Sequence, residues 1–328
     1  MKTHTAALTA ALAAAALVVP GPAGADPVVP HGICCAEDLD MLPPGYLERL
    51  QPLEAKGDEL TVVPVDIDPL GADPMTPWTV FVSSLNVRSG PSTSFSIVGS
   101  LSNGSNVSGI YNLVVESDEE WIEIDWDDGT AHISRTGVTR VHPTNQENID
   151  EFGNIPYGEE LVNRWWGVPI SYEPDDLAVV PWDYTAQSSG RVYELREEVV
   201  DAVTAMIDAA WDDGIDFRVS SPYRSGSRQQ SIYLNNVNNA GLNQRFSAPP
   251  GHSEHQLGTT VDFSRPGGGF LNNTDPQYHW LVENGEDFGF RQSYTADNID
   301  ETGYIEEPWH WRYLGEPASV ESDFWQLY

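Results

Sequence analysis

The stretch from Gly251 to Asp262 constrains this chain more than any other part of its sequence. His255 and Asp262 stand seven residues apart there, with Gly258 between them. Glycine readily adopts the backbone conformations of tight turns, so a turn can bring both side chains to one centre. The spacing does not match the helical His-Glu-x-x-His pattern, which excludes a site carried on one helix in this stretch. The stretch therefore predicts half of a site, which needs a partner elsewhere in the chain.

A second cluster, Glu307 to Tyr313, supplies the missing groups. His310 offers a third ligand, and Glu307 provides a spare carboxylate three residues earlier. Imidazole and carboxylate ligands suit zinc, which in hydrolytic sites takes three protein ligands and keeps a position for water. Zinc lowers the pKa of this water to near 7, and a neighbouring carboxylate can take its proton. The two stretches predict a zinc site with His255, Asp262 and His310 as ligands and Glu307 as the base.

Three motifs over residues 150–328 resemble those of VanY-type D-alanyl-D-alanine carboxypeptidases, in the same order. They are Ser221-x-Tyr223-Arg224-Ser225 with Gln229, Ser253-x-His255-x-x-Gly258-x-x-x-Asp262, and Glu307-x-Trp309-His310-Trp311-x-Tyr313. The resemblance implies the same zinc ligands and base. It also implies an α+β catalytic domain of the DD-peptidase/hedgehog-like type, in which helices flank a small antiparallel sheet that carries the ligands. Thr260 departs from the pattern, because alanine is more common there.

The resemblance also implies roles for polar residues around the metal. Arg224 would stabilise the oxyanion or hold the substrate, since a guanidinium offers fixed donors to a carboxylate or an oxyanion. Four further residues would contact substrate: Ser253, Gln229, Tyr223 and Ser221. We expect Trp309, Trp311 and Tyr313 to pack around the site, and His252 to be a bystander.

The N-terminus has the pattern of a secretory signal peptide over residues 1–25. Lys2 precedes an apolar run from Ala6 to Val19, and Ala23-Gly24-Ala25 is a small-residue cleavage site. The run is too short for a membrane span, and no other stretch is long and apolar enough. We therefore expect a secreted protein, located outside the cell or in the cell wall.

The formal net charge of −34 narrows the choice of partner. Binding to phosphate requires a basic face, so a nucleic acid partner is excluded. Such acidity is typical of proteins that work in a salty environment, with an acidic, cation-binding surface as the alternative. Cys34 and Cys35 are adjacent and cannot join distant parts of the chain; a vicinal disulfide, pairing between chains or free thiols all stay open.

Residues 26–77 are rich in proline and acidic side chains, which predicts an extended linker or a plain disordered spacer. Short strands separated by turn signals follow over residues 78–142 and predict a small β-barrel. Here the chain resembles a bacterial SH3 domain, on Leu85-Asn86-Val87-Arg88-Ser89-Gly90-Pro91-Ser92-Thr93, Gly99-Ser100-Leu101 and Trp121-Ile122-Glu123-Ile124. Ala131-His132-Ile133 departs from the usual Gly-Trp-Val. The resemblance implies binding of peptidoglycan peptides, and a plain spacer is the alternative.

Periodicity predicts four helices in the remaining chain, at residues 193–212, 227–239, 275–284 and 319–328. The function predicted from the sequence is a secreted zinc carboxypeptidase that trims peptidoglycan stem peptides. An LD-carboxypeptidase or a peptidoglycan endopeptidase on the same fold is one alternative. A catalytically inactive wall-binding protein is another.

Overall fold

The computed structural model describes residues 60–64, 76–115, 117–186, 191–244 and 247–315. All of these residues lie in one compact unit, Leu50–Tyr328. The predicted signal peptide, the cysteine pair and the predicted helix at residues 319–328 lie outside the described residues. Within the described ranges, each helix is too short or too polar to cross a membrane.

Short antiparallel strands fill residues 62–139, which we call the β region. They are β1 (Val62–Pro64), β2 (Trp78–Val80), β3 (Ser84–Arg88), β4 (Ile97–Ser102), β5 (Asn106–Val107), β6 (Gly109–Val114), β7 (Glu119–Trp126), β8 (Gly129–Ser134) and β9 (Val138–Thr139). One sheet has the order β1-β6-β7-β8-β3-β4, and the other has the order β5-β2-β9. Strand β1 comes from the predicted linker and pairs with β6.

The core of the β region extends into the chain that follows it. The alternating sequence of β7 buries Ile122 and Ile124, and this core continues to Trp166. The guanidinium of Arg140 lies 3.7 Å from the centre of the Trp166 ring, and cation–π contacts of this kind are favourable in desolvated surroundings. The β region therefore packs directly against the C-terminal region, which we define as residues 143–315.

The C-terminal region alternates helices and short strands. They are α1 (Pro143–Phe152), β10 (Leu177–Val179), β11 (Glu194–Arg196), α2 (Glu197–Asp212), β12 (Arg218–Ser221), α3 (Gly226–Ala240), β13 (Thr260–Ser264), α4 (Pro276–Asn284), β14 (Phe290–Gln292), α5 (Ile299–Thr302) and β15 (His310–Tyr313). The prediction that a helix starts at Tyr193 was wrong, because residues 194–196 pair with β10 as a strand and the helix begins at Glu197.

A four-stranded antiparallel sheet, with the order β12-β13-β15-β14, forms the centre of this region. The buried face of α2, which includes Val199, Val203 and Met206, packs on it together with Phe217 and Phe263. This arrangement confirms the predicted mixed α/β domain built around a small antiparallel sheet. In the register of the sheet, Asp262 on β13 lies opposite His310 on β15. Two residues far apart in sequence are thereby brought side by side.

Candidate active site

The sheet and one turn bring the three predicted metal ligands together. Asp262 and His310 are cross-strand partners, and His255 lies in a 3-10 turn, Glu254–Leu257, that ends at Gly258. Gly258 has φ of +72°, a left-handed conformation that favours glycine. One ligand atom from each of His255, Asp262 and His310 lies within 4.8 Å of the others, and all three residues are buried.

Hydrogen bonds orient the two imidazoles so that each turns one nitrogen toward this cluster. His255 Nδ1 lies 3.0 Å from the carbonyl oxygen of Pro222, which leaves Nε2 facing Asp262 at 3.2 Å. His310 Nε2 lies 2.9 Å from a carboxylate oxygen of Glu254, which leaves Nδ1 facing Asp262 at 3.1 Å. Metal-binding histidines commonly engage their second nitrogen in this way. Two imidazole nitrogens and one carboxylate therefore form a donor set that fits zinc.

The cluster attracts positive charge strongly. Burial alone would lower the pKa of His310, but hydrogen bonds with the Asp262 and Glu254 carboxylates outweigh it and raise the pKa to about 10. Burial would raise the pKa of Asp262, yet interactions with His255 and His310 hold that pKa well below its usual range. The negative electrostatic potential of these carboxylates stabilises the proton on His310, and it would stabilise a divalent cation between the groups in the same way.

Glu307 lies beside the cluster, with a carboxylate oxygen 3.5 Å from His310 Nδ1. Burial, together with the neighbouring carboxylates of Asp262 and Glu254, raises the pKa of Glu307 to about 7 against the opposing effect of His310. A carboxylate whose pKa is near neutrality is suited to general-base catalysis, because it can both accept a proton and release it.

Arg224 is held by uncharged groups. Its Nη1 donates to Gln229 Oε1 at 2.6 Å and its Nη2 donates to Ser221 Oγ at 3.1 Å. The Gln229 amide in turn donates to the carbonyl of Ala248 at 2.6 Å. Arg224 forms no ion pair with a carboxylate in the part of the chain that the structure describes. Its guanidinium is therefore fixed in direction and available to an anionic group of a ligand.

A cavity of about 250 Å³ joins these groups. Of the predicted residues, it is lined by Arg224, Gln229, Ser253, Glu307 and the three ligands. Ser221 and Tyr223 do not line it. Ser221 accepts a hydrogen bond from Arg224, and the Tyr223 hydroxyl lies 3.5 Å from a carboxylate oxygen of Glu173, in a different cleft. Strand β12 ends at Ser221, and in the extended chain after it Tyr223 faces this second cleft while Arg224 faces the cavity.

Two aromatic side chains also line the cavity. Trp309, which we expected only to pack around the site, stacks on Phe270 with ring centres 5.1 Å apart. Phe270 is half-exposed. By contrast, Trp311 and Tyr313 are buried in the core, as predicted. Trp309 and Phe270 therefore provide an apolar wall at the cavity.

Sequence reasoning missed the buried charges behind His310. Glu254 has no exposed surface and accepts a hydrogen bond from Arg312 Nη1 at 3.0 Å, in addition to its contact with His310. The other side of the Arg312 guanidinium bonds to the Glu160 carboxylate at 2.6 Å. One signal was present in the sequence. Residues two apart on a strand share a face, so Arg312 had to lie beside His310 and needed an acidic partner.

Residues 192–316 match the sequence model of the VanY family, described as D-alanyl-D-alanine carboxypeptidase. The putative carboxypeptidase YodJ of Bacillus subtilis (strain 168) is 34% identical over 165 residues, which cover 48% of this chain and 60% of that protein. A D-alanyl-D-alanine carboxypeptidase of Enterococcus faecalis is 32% identical over 173 residues, which cover 49% of this chain and 60% of that protein.

A solved structure, the VanY D,D-pentapeptidase of a VanB-type resistance cassette in complex with Zn(II), is 31% identical. The match covers 49% of this chain and 90% of that one, with a TM-score of 0.39. For the two curated relatives named above, the matched part of this chain spans about 60% of their length.

The donor set of the ligand cluster fits zinc, and the match over residues 192–316 covers the whole cluster. Residues 192–316, which carry the cluster, therefore match the VanY family of D-alanyl-D-alanine carboxypeptidases.

Proposed function

We propose that this protein is a zinc-dependent D-alanyl-D-alanine carboxypeptidase that trims peptidoglycan stem peptides. The observation that carries the proposal is the Arg224 guanidinium. It lines the same small cavity as Glu307 and the ligand cluster, and its only described partners are uncharged. A carboxypeptidase must recognise a free carboxylate next to the bond that it cuts. A guanidinium that uncharged partners hold in a fixed direction provides this recognition.

Zinc, when bound by His255, Asp262 and His310, supplies a Lewis acid that polarises the carbonyl and lowers the pKa of water. The protein contributes the proton transfers. Glu307 accepts a proton from the attacking water as the new C–O bond forms. It then donates that proton to the leaving amine as the C–N bond breaks. The products are a shortened peptide and one free amino acid, and the pKa of about 7 lets Glu307 perform both steps.

Two features support a small C-terminal residue as the leaving group. The cavity is only about 250 Å³ in volume. Arg224 and the stacked pair of Phe270 and Trp309 all line it. A short side chain such as that of alanine leaves room in this volume for the peptide to contact both the guanidinium and the aromatic rings.

We extend the proposal to location and to the β region. The N-terminal pattern of Lys2, the apolar run and the Ala-Gly-Ala site supports export to the cell wall. The Leu85–Thr93 signature supports an SH3-like fold for the β region. Such a region would keep the enzyme near its polymeric substrate and raise the effective substrate concentration.

The test is digestion of defined stem peptides by the full chain, followed by mass spectrometry and metal analysis. We expect a pentapeptide ending in D-Ala-D-Ala to lose one alanine, with about one zinc per chain. Glu307→Ala should abolish this loss and retain zinc. Glu306→Ala, a change at the adjacent carboxylate outside the cavity, serves as the matched control and should remain active.

Other products would redirect or refute the proposal. Loss of the terminal residue from a tetrapeptide stem but not from the pentapeptide would identify an LD-carboxypeptidase. Cleavage between cross-linked stems would identify an endopeptidase. If zinc-loaded protein left every stem intact, the enzyme proposal would fail and a wall-binding role would replace it.

A further inference from the structure

A second cleft, larger than the catalytic cavity, lies between the β region and the C-terminal region. Its volume is about 630 Å³, within the range of small-molecule sites. One wall comes from β2 and from Asn103 and Gly104. The other comes from residues 169–173 and from the start of α3. None of the predicted metal ligands lines it, nor does Glu307. We call it the polar cleft.

The charge of the polar cleft excludes anionic ligands. Glu173 is the only charged side chain among the described residues that line it. Its carboxylate lies 3.5 Å from the Tyr223 hydroxyl, which can donate to it. A phosphate or carboxylate would meet no cation here, in a chain whose net charge is already −34. Because the Tyr223 hydroxyl already faces this carboxylate, the cleft favours a neutral ligand over a cation as well.

The neutral groups of the cleft combine amides and hydroxyls with aromatic rings. The amide and hydroxyl side chains include Asn103, Gln146, Ser171, Ser225, Ser227 and Gln230. Tyr172 and Tyr223 line the same cleft. Amides and hydroxyls both donate and accept hydrogen bonds, and aromatic rings offer flat apolar faces. This combination matches a sugar ring with hydroxyl and acetamido substituents.

The backbone around the cleft argues against an extended peptide. Strand β2 is paired on both sides, with β5 and with β9. The Val80 N–H donates to the Ser105 carbonyl, and the Val80 carbonyl accepts from the Gly104 N–H. A peptide that adds to a sheet needs an unpaired edge, and β2 offers none. Recognition in this cleft must come from side chains, which again favours a sugar.

The cleft and the catalytic cavity share one chain segment. Tyr223 lines the cleft and Arg224 lines the cavity; on α3, Gln230 lines the cleft and Gln229 lines the cavity. We infer that the polar cleft binds a neutral, N-acetylated oligosaccharide of the glycan strand. The assignment of this sugar to a glycan strand rests on the proposed function. A polymer whose peptides are attached to sugars could occupy the catalytic cavity and the polar cleft together.

The inference can be tested with the neutral oligosaccharide tetra-N-acetylchitotetraose and the full zinc-loaded chain. Binding is followed by calorimetry and by NMR shifts. We expect saturable binding below about 10 mM, the weak range typical of few hydrogen bonds. Gln230→Ala should weaken it about three- to tenfold, the loss that one neutral hydrogen bond predicts. Ser227→Trp, which fills the cleft from an exposed position, should abolish it.

Two controls separate this inference from the proposed function. Asn238→Ala, an exposed amide elsewhere on α3, should bind the sugar like the unmodified protein. Glu307→Ala should lose peptidase activity and keep sugar binding. Absence of sugar binding, or equal binding by the Ser227→Trp variant, would overturn the inference even if pentapeptide cleavage is normal. Displacement of the sugar by a free stem peptide would overturn it as well.

Discussion

The Nε2 atom of His310 lies 2.9 Å from a carboxylate oxygen of Glu254, a residue with no exposed surface. This contact turns Nδ1 of His310 toward Asp262 and the rest of the ligand cluster. Arg312 holds the second oxygen of the same carboxylate. The orientation of one ligand therefore depends on a buried carboxylate that binds no metal itself.

Changing Glu254 to glutamine should weaken zinc binding. The amide keeps the size of the side chain but loses the charge that orients His310, and loss of such a partner typically costs 10- to 100-fold in metal affinity. Competition with a chromophoric chelator measures the effect. Glu283→Gln, an exposed change on α4, is the control. Unchanged zinc affinity in Glu254→Gln would show that the contact does not orient the ligand.

Replacing Arg224 by lysine should lower kcat/KM for a pentapeptide about 10- to 100-fold. Lysine keeps the charge but cannot donate to Gln229, Ser221 and a substrate carboxylate in fixed directions. Steady-state kinetics on the full chain measures the change, with Arg228→Lys, an exposed arginine on α3, as the control. Equal activity of the two variants would show that Arg224 does not bind the substrate carboxylate.

Truncation of Phe270 should raise KM more than it lowers kcat. The ring stacks on Trp309 at the cavity and lies outside the ligand cluster, so Phe270→Ala removes an apolar contact. An aromatic contact of this kind predicts a three- to tenfold rise in KM. Val282→Ala, which also removes an exposed apolar side chain, should leave both constants unchanged. A fall in kcat alone would contradict a binding role.

Stability should depend on pH through His252, which is buried where the β region meets the C-terminal region. Its Nδ1 lies 3.1 Å from the Asn163 carbonyl, and its Nε2 accepts from the Arg140 N–H at 3.2 Å. Nδ1 donates to the carbonyl, and Nε2 can accept only while the ring is neutral. Burial, with the nearby Arg135 guanidinium adding to it, places the pKa of His252 well below its usual value.

The unfolded chain binds this proton first as the pH falls. The contribution of His252 is thus fully present above about pH 6.5 and is lost below it, with a limiting slope of about 1.4 kcal/mol per pH unit. Urea unfolding between pH 5 and 8 measures it. His252→Asn should be less stable at pH 8 and show a shallower loss toward pH 5 than the unmodified protein. Parallel curves for the two proteins would refute the assignment.

The local features of the site were predictable because short-range rules determine them. Gly258 ends a turn in the left-handed conformation, as its position between His255 and Asp262 predicted. The helix predicted at residues 227–239 is α3, and Asp275 with Pro276 begins α4. Such signals depend on neighbouring residues, so they can be read without the fold.

The errors arose where a residue's environment comes from distant chain. The predicted helix start at Tyr193 was wrong because residues 194–196 form a strand that pairs with residues 177–179. Tyr223 was assigned to the substrate site from its motif, but Glu173 and the β region place it in another cleft. Phe270 belongs to none of the motifs, and only its stacking on Trp309 in the structure shows that it lies at the cavity.

The sequence by itself determined which chemical groups are present: two histidines, one aspartate, a glutamate beside them and an arginine, in motifs that predict a zinc site and recognition of a carboxylate. Only the tertiary structure decided how these groups are held. The Glu254 to His310 and Arg312 to Glu160 contacts join residues 56 and 152 positions apart. The strand pattern shows that Arg312 needs an acidic partner, but no local pattern identifies which residue it is. Packing alone determines which buried charges meet, because each must find its partner away from water.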